Sequence, residues 1–500
     1  MGEPFYITTA ISYPNGPPHI GHAYEAIAAD VIARFQRAQG RDVRFQTGTD
    51  EHGLKMAQAA RAEGVEPRAF ANKMSLLFQA MCDTLNVSYD RFILTSKPDH
   101  YRASQAIWKA MEERGDLYLG RYEGWYSVRD EAYYDDDELT DGETGEKLSP
   151  QGTPVEWTVE ESWFFRLSKY QQPLLEHYAA NPDFIRPESR RNEVLRFVEN
   201  GLSDLSISRT SFDWGVPVPD SSGHVMYVWL DALTNYITGL GYPDDTELWR
   251  RYWPADIHLI GKDVVRFHAI YWPAFLMSAG IALPKCVYGH GFLLSRGEKM
   301  SKSVGNVVDP MVLAERFGVD ALRYFLLREV PFGQDGSYSA EAIVNRANAE
   351  LANSFGNLAQ RILSMIHKNL DGVLPAAGTA EEDQALLAQV DQACVGLTQH
   401  FERLAFSTGL EEWMQAVFAC NAYVDNMAPW ALKKTDPERM AAVLGTLVAA
   451  VRKLTVAVQP VIPASAGKLI ALIDSGEDGA PIAQPTPLFP RLELEEEEAA

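Results

Sequence analysis

The chain of 500 residues has only four cysteines, Cys82, Cys286, Cys394 and Cys420, and they stand far apart. No two form a C-x-x-C pair, so the sequence writes neither a thiolate zinc knuckle nor a disulfide framework. Each is expected to be a small buried hydrophobe. Uninterrupted apolar runs of roughly 18 residues, the length that spans a bilayer, are missing, and no membrane partner is expected. The start, Met1-Gly2-Glu3-Pro4-Phe5, lacks the basic-then-apolar order of a secretion signal. Tyr6 stands where a myristoylation site needs Ser or Thr, and a cytosolic location is expected. Positive charge is scarce as well: 45 Lys and Arg face 68 Asp and Glu, a formal net charge of −23. This counts against general affinity for nucleic acid, DNA included, but leaves room for one shape-matched RNA met by local basic patches. The run from Glu493 to Glu498 reads as a solvated acidic tail.

What is present is a globular composition, 46% hydrophobic and 23% charged, in a chain too long for one core. Phe5 to Ile11 reads as a β-strand, rich in aromatic and β-branched residues. A Pro/Gly/Asn loop, Ser12 to Pro18, leads into a helix after His19 with Ile27, Val31, Ile32 and Phe35 on one face and Gly40 at its end. A second strand, Val43 to Gly48, runs into Thr49-Asp50-Glu51-His52-Gly53, and strand–helix–strand at this spacing predicts a parallel sheet. From about Tyr118 to Ser208 the pattern is too irregular for another such unit and predicts an inserted module. Strand signals return at Val225 to Trp229 and His258 to Lys262. Between Ala340 and Ile473 the periodicity is helical, with helices expected over 351–366, 385–404, 410–426 and 439–458.

Two short strings carry chemistry. In Ser12 to His22, Gly16 and Gly21 let a backbone approach a nucleotide, and a helix N-terminus there offers N–H groups to an anion. His19 and His22 aim two imidazoles at one small volume and can donate to phosphoryl oxygens. The plainer reading is a capped helix with two surface histidines. The second string, Gly297-Glu298-Lys299-Met300-Ser301-Lys302-Ser303, suits a mobile cationic clamp on a triphosphate, or else a solvated basic loop.

H-I-G-H at His19–His22, followed about 280 residues later by K-M-S-K-S from Lys299, resembles the signature pair of class I aminoacyl-tRNA synthetases. Ala10 to Tyr13, Gly48 to Gly53, Tyr227 to Ala232, Asn235-Tyr236 and Ile260 to Asp263 resemble methionyl-tRNA synthetases, a likeness running from Phe5 to about Trp430. The resemblance implies a Rossmann-like parallel-sheet catalytic domain with an inserted connective module, followed by an all-α helical-bundle anticodon-binding domain. The expected boundaries are 1–117 and 209–290 for the catalytic halves and 118–208 for the module. Residues 291–345 carry the lysine loop and stem contacts, 346–475 the helical domain, and 476–500 a strap and tail.

By the same resemblance Tyr13, Asn15, Gly16, His19, Gly21, His22, Lys299, Ser301 and Lys302 bind ATP, with Mg2+, and His19, His22, Lys299 and Lys302 are the catalytic group. The methionine pocket is then Ile11, Tyr13, Asp50, Arg209, Trp229, Ala232, Leu233, Tyr236, Val264 and His268. Asp50 takes the α-ammonium group, Arg209 braces that carboxylate, and Tyr236 and the Ile11 N–H meet the sulfur. Trp229 and Tyr236, at i and i+7, also suit an ordinary core. Asn357, Arg361 and Trp430 resemble anticodon readers, an amide and a guanidinium one turn apart and a ring on which a base stacks; a helix-capping core role for Trp430 is the alternative.

The partners implied are L-methionine, ATP and tRNA(Met). Many relatives carry a zinc knuckle after the Gly-x-Tyr turn, but Gly124-Trp125-Tyr126-Ser127-Val128-Arg129-Asp130-Glu131 has Ser127 and Asp130 in place of thiolates, and no structural zinc is expected. The aromatic cluster Trp125, Tyr126, Tyr133, Tyr134, Trp157, Trp163, Phe164 and Phe165 is expected to hold the module instead. Some relatives carry an appended C-terminal oligonucleotide-binding barrel that dimerises them; none is expected here, and a monomer is expected. A synthetase for isoleucine, valine or leucine shares the signatures but needs an editing insertion larger than the module of about ninety residues. A nucleotidyltransferase shares the histidine loop without the helical domain. A paralogue that only binds tRNA would not need His19, His22, Lys299 and Lys302 intact.

Overall fold

Strand β1, Pro4–Thr9, is buried from Phe5 to Thr9, on both faces, as a central strand of a parallel sheet must be. It pairs in parallel with β2, Asp42–Thr49, on one side and with Ile257–Gly261 on the other. β3, Arg91–Leu94, extends the β2 side, and Val287–His290 and then Ile185–Arg186 extend the other, giving six strands, all parallel. Helix α1, Ile20–Ala38, makes the crossover from β1 to β2 and buries Ala23, Tyr24 and Ile27. Gly40 then turns the chain at φ +82°, where a side chain would be strained.

The computed structural model describes residues 2–130, 132–142, 145–295, 298–299 and 308–494. They group into a unit of Met1–Ala29, Gln36–Asp83 and Val87–His290 and a second unit of Asp30–Phe35, Thr84–Asn86 and Gly291–Ala500.

Three expectations are corrected. β1 ends at Thr9 rather than Ile11, because the chain leaves the ladder there: Ala10 N–H bonds Leu259 O, and Ser12 reaches Thr49 as an isolated bridge. Val225 to Trp229 is not a parallel strand. Val225–Met226 is a short antiparallel partner of Ser208–Arg209, and Val228–Thr238 is a helix buried almost throughout. A short apolar run has the same composition as a strand or as a helix enclosed on all sides, so periodicity cannot separate them. The inserted segment also gives the parallel sheet its edge strand, Ile185–Arg186.

The rest of that segment is built on a long antiparallel hairpin, Leu117–Ser127 with Glu156–Phe165, joined by Ala132–Tyr134 and Leu205–Ser206. Aromatic contacts brace it, Trp125 on Trp157 (ring centroids 5.3 Å apart) and Tyr126 on Tyr133 (4.9 Å). Beside them lies a knot the sequence did not announce. Asp130 Oδ2 accepts from Ser149 Oγ at 2.7 Å, Thr153 Oγ1 at 2.5 Å and Tyr134 OH at 3.0 Å. Ser127 Oγ meets Thr153 Oγ1 at 2.7 Å and accepts from the Asp130 N–H. These residues do not fit a zinc ion, since the hydroxyls are spent on one another and on one carboxylate. Among the described residues no group of three or more His, Cys, Asp or Glu is disposed to hold a metal.

In the second unit, Leu293–Ser295 pairs with Glu298–Lys299 and with Gly336–Tyr338. Helices Asn357–Asn369, Glu381–Glu402, Phe406–Met427 and Pro463–Asp474 then pack around Pro437–Val458. This last helix is long and apolar enough to cross a bilayer, yet Val443, Leu444, Leu447, Val451 and Leu454 are buried as the bundle's core. Arg323 is fully buried with its donors matched to the carbonyls of Leu85, Pro460 and Val461 and to Asp30 Oδ2 at 2.6 Å.

Asp130→Ala leaves three hydroxyls short of their acceptor and is expected to cost about 1–3 kcal/mol locally. Limited proteolysis should then cut the 127–153 segment faster, while a chelator leaves the wild-type rate unchanged. Faster cutting of the wild type after chelation would contradict a metal-free knot.

Candidate active site

The loop after β1 and the first turn of α1 place His19 and His22 face to face, with ring centroids 3.8 Å apart. Gly21 makes this possible: a Cβ there would stand 2.9 Å from the His19 ring. Room for a neighbouring imidazole is thus a use of Gly21 that the sequence reading did not contain. His22 Nδ1 accepts the His19 N–H and His19 Nδ1 accepts the Gly21 N–H, both at 3.1 Å. Each neutral ring therefore carries its proton on Nε2, as a donor. Thr9, Ser12, His22, Gly48 and Phe78 line a small cleft here. Tyr13 OH accepts the Met56 N–H at 3.0 Å and its ring lies under Lys55.

The loop after β2 carries Asp50, 6% exposed. Its backbone N–H bonds Ser12 O at 2.9 Å, which ties the β1 and β2 loops together. Glu51 is wholly buried: its carboxylate accepts from Ser75 Oγ at 2.7 Å and from Ser96 N–H, and its carbonyl accepts from Trp214 Nε1 at 2.6 Å. His52 Nδ1 lies 2.7 Å from Asp231 Oδ2, and His100 Nε2 lies 2.6 Å from Asp231 Oδ1. Burial pushes the Asp231 carboxyl up, but the His52 and His100 imidazoles outweigh it and bring it down to about 2. This network was not foreseen. Its one local signal is an acid inside an otherwise uncharged helix, Val228–Thr238.

That helix also supplies the walls of the expected pocket. Ala232, Leu233 and Tyr236 are buried, and Trp229 stacks on Phe267 at 3.8 Å and 6°, a ring the sequence reading had passed over. His268 Nδ1 donates to Val264 O at 2.9 Å, and Tyr236 OH lies 2.6 Å from His268 Nε2. Burial lowers His268 to about 4 against the opposing pull of the Val264 carbonyl, so the ring is neutral at neutral pH. With its proton on Nδ1, Nε2 accepts, and the Tyr236 hydroxyl proton is committed to His268. The expectation that Tyr236 stands ready to donate to a sulfur is corrected accordingly. Ile11, released from the ladder, makes no hydrogen bond through its N–H among the described residues.

Arg209 is 2% exposed and boxed by the rings of Tyr126, Tyr133 and Tyr227. Its ion pair is to Glu160, at 3.6 Å, and it donates to Ser206 Oγ at 3.0 Å. Gly16 and Asn15 lie in the β1 loop as expected. Lys299 is described through its backbone, in the strand Glu298–Lys299, while Gly297, Met300, Ser301, Lys302 and Ser303 lie outside the described residues.

In the second unit, Arg361 lies over the Trp430 ring at 6.0 Å, and Asn357 is exposed one turn before it. Trp430 is 50% exposed, which removes the core reading. Arg361 Nε and Nη2 have no hydrogen-bond partner among the described residues.

His268 yields a test of the assigned proton positions. In the unfolded chain it takes up a proton near 6.5 and in the folded chain only near 4. Between those values the unfolded state holds more protons, so stability falls as pH drops through that window. His268→Asn is expected to shrink the difference in urea midpoint between about pH 7 and about pH 5. An undiminished difference would contradict a neutral His268.

Comparison with known proteins agrees with this geometry. The family model for class I tRNA synthetases (M) matches residues 5–363, and that for the anticodon binding domain of methionyl tRNA ligase matches residues 374–488. A methionine–tRNA ligase of Mesorhizobium japonicum is 60% identical over 94% of this chain and 91% of its own. One from Brucella suis is 57% identical over 98% of both. Mycobacterium tuberculosis methionyl-tRNA synthetase, solved in complex with methionyl-adenylate, superposes with a TM-score of 0.94 at 55% identity, covering 98% of this chain and all of that one. The chain belongs to the methionyl branch of the class I tRNA synthetase family.

Proposed function

We propose that the chain activates L-methionine with ATP, giving methionyl-adenylate and pyrophosphate, and then esterifies methionine to the 3′-terminal adenosine of tRNA(Met) in the cytosol. The observation that carries this reading is the aromatic set Trp229, Tyr236 and His268, with the Trp229 and His268 rings 6.2 Å apart and Tyr236 OH 2.6 Å from His268 Nε2; beside it we place the Ile11 N–H, which makes no hydrogen bond among the described residues. A thioether is long, polarizable and an acceptor only. It suits aromatic walls and accepts from the Ile11 N–H, while Tyr236, its proton held by His268, serves as a wall. An aliphatic side chain of the same length leaves the Ile11 donor unpaired in a dry site, a penalty of about 1–3 kcal/mol.

The remaining roles follow from charge. Asp50 takes the ammonium group, and Arg209, held through Glu160, acts as a fixed part of that wall. The substrate carboxylate attacks the α-phosphorus; the bond to the bridging oxygen breaks and pyrophosphate leaves. No side chain need act as nucleophile, so positioning and charge stabilisation supply the rate. His19 and His22 donate from Nε2 to phosphoryl oxygens, and Lys299 and Lys302 stabilise the charge that builds on pyrophosphate. Magnesium, bound with ATP, offsets phosphate charge. The terminal adenosine's 2′-hydroxyl then attacks the acyl carbon and AMP departs. Asn357, Arg361 and Trp430 offer an amide, a guanidinium and a stacking face to unpaired anticodon bases.

Pyrophosphate exchange into ATP, run with each amino acid in turn, should respond to methionine. Norleucine, the methylene isostere, should be at least about tenfold poorer in kcat/KM. Equal use of norleucine, leucine or isoleucine would remove methionine as the substrate. Lys302→Ala should lower kcat of exchange about 100-fold with little change in the methionine KM. Equal losses in both would mean that the lysine does not act preferentially in the transition state.

A further inference from the structure

A carboxylate enclosed in protein is expensive, and an apolar residue at the same place usually folds as well or better. Asp231 is wholly buried, in a helix whose other buried side chains are uncharged. It is held from two sides, by His52 on the β2 loop and by His100 on the helix Pro98–Glu113. Each imidazole is fixed in turn, since His52 Nε2 meets Tyr101 OH at 2.9 Å and His100 Nδ1 meets Thr238 Oγ1 at 3.0 Å. Trp214 packs edge-on against the His52 ring at 5.1 Å, and its backbone carbonyl accepts the Gly53 N–H.

The ends of this network matter more than its middle. His52 stands two residues after Asp50, on a loop tied down by bonds from the Asp50 N–H to Ser12, from the Glu51 N–H to Thr95, and to the Glu51 carboxylate from Ser75 and Ser96. Asp231 stands next to Ala232 and five residues before Tyr236 on the same helix, both proposed walls of the slot. The His52–Asp231 bond therefore spans the gap between the group proposed for the ammonium and the helix proposed for the side chain.

We infer that Asp231, with His52 and His100, is a positioning network that sets Asp50 relative to the slot, so that one amino acid's ammonium and side chain are met together. It touches no reacting atom. The inference rests on the reading of Asp50 as the ammonium partner, and the test separates the two.

In the full-length chain, inhibition of exchange is measured with two methionine analogues. L-methioninol keeps the ammonium and lacks the carboxylate, while 4-(methylthio)butanoate keeps the carboxylate and lacks the ammonium. Asp231→Asn should weaken methioninol about tenfold, leave 4-(methylthio)butanoate within twofold, raise the methionine KM and leave the ATP KM within twofold. His52→Gln should do the same, and the double variant should be no worse than either alone, because the pair acts as one unit. Asp50→Asn is the reference. If it leaves methioninol unaffected, the ammonium reading falls. If it weakens methioninol while Asp231→Asn and His52→Gln do not, the ammonium reading stands and the positioning network is overturned. Equal weakening of both analogues, or loss of thermal stability alone, also overturns it, because a plain core network would do that. Should Asp231→Asn fail to fold, His52→Gln, which leaves Asp231 paired with His100, decides the matter.

Discussion

The parallel pairing of β1 with β2 on one side and with Ile257–Gly261 on the other puts the carboxyl ends of three strands side by side. The chain order reverses across β1, where ligand crevices open in sheets of this kind. Each of these strand ends carries part of the candidate site: the His19–His22 loop after β1, Asp50 after β2, and Val264 and His268 after Ile257–Gly261. The short reach of β1 is as important as its position. Because it stops at Thr9, Ile11 is freed from the ladder and its N–H makes no hydrogen bond among the described residues, while Ser12 O holds the Asp50 N–H. A strand two residues longer would pair the Ile11 N–H within the sheet.

Proton placement then divides labour within the site. Where a ring nitrogen is occupied by a backbone N–H or C=O, the other nitrogen's role is fixed, and this holds at His19, His22 and His268. Two rings are left as Nε2 donors and one as an acceptor toward Tyr236. The polar groups of the β2 loop and of the helix Val228–Thr238 are used largely in a buried bond network through Glu51, His52, His100 and Asp231. Asp231 is the clearest case, a charge kept at a cost to folding where an apolar residue would be cheaper.

Much of this was legible in the sequence because it is local. The strand–loop–helix start, the period of α1, the Gly40 stop and the helical character beyond Ala340 all depend on residues a few positions apart. The residues expected in the pocket on Val228–Thr238 come from the family resemblance alone, and the local pattern of the segment's first residues reads as a strand where the chain forms a helix. What escaped was non-local. β3 is four residues, Arg91–Leu94, and Ile185–Arg186 only two, too short to show alternation. The partners of His52 and Asp231 lie 179 positions apart, and nothing near either residue announces the other. The oxygen knot at Asp130 likewise joins Ser127 to Ser149 and Thr153 across a hairpin. Sequence reasoning saw the missing thiolates there but not what took their place.

The central claim is that one slot receives the thioether while the neighbouring strand end receives the ammonium group. Crystallography of the full chain with a non-hydrolysable methionyl-adenylate analogue tests it most directly. The account predicts the sulfur within hydrogen-bonding reach of the Ile11 N–H and against the Tyr236 hydroxyl, with the ammonium on Asp50 and the phosphate mimic beside His19 and His22. A side chain lying outside the Trp229–Tyr236 slot, or an ammonium paired elsewhere, would contradict it.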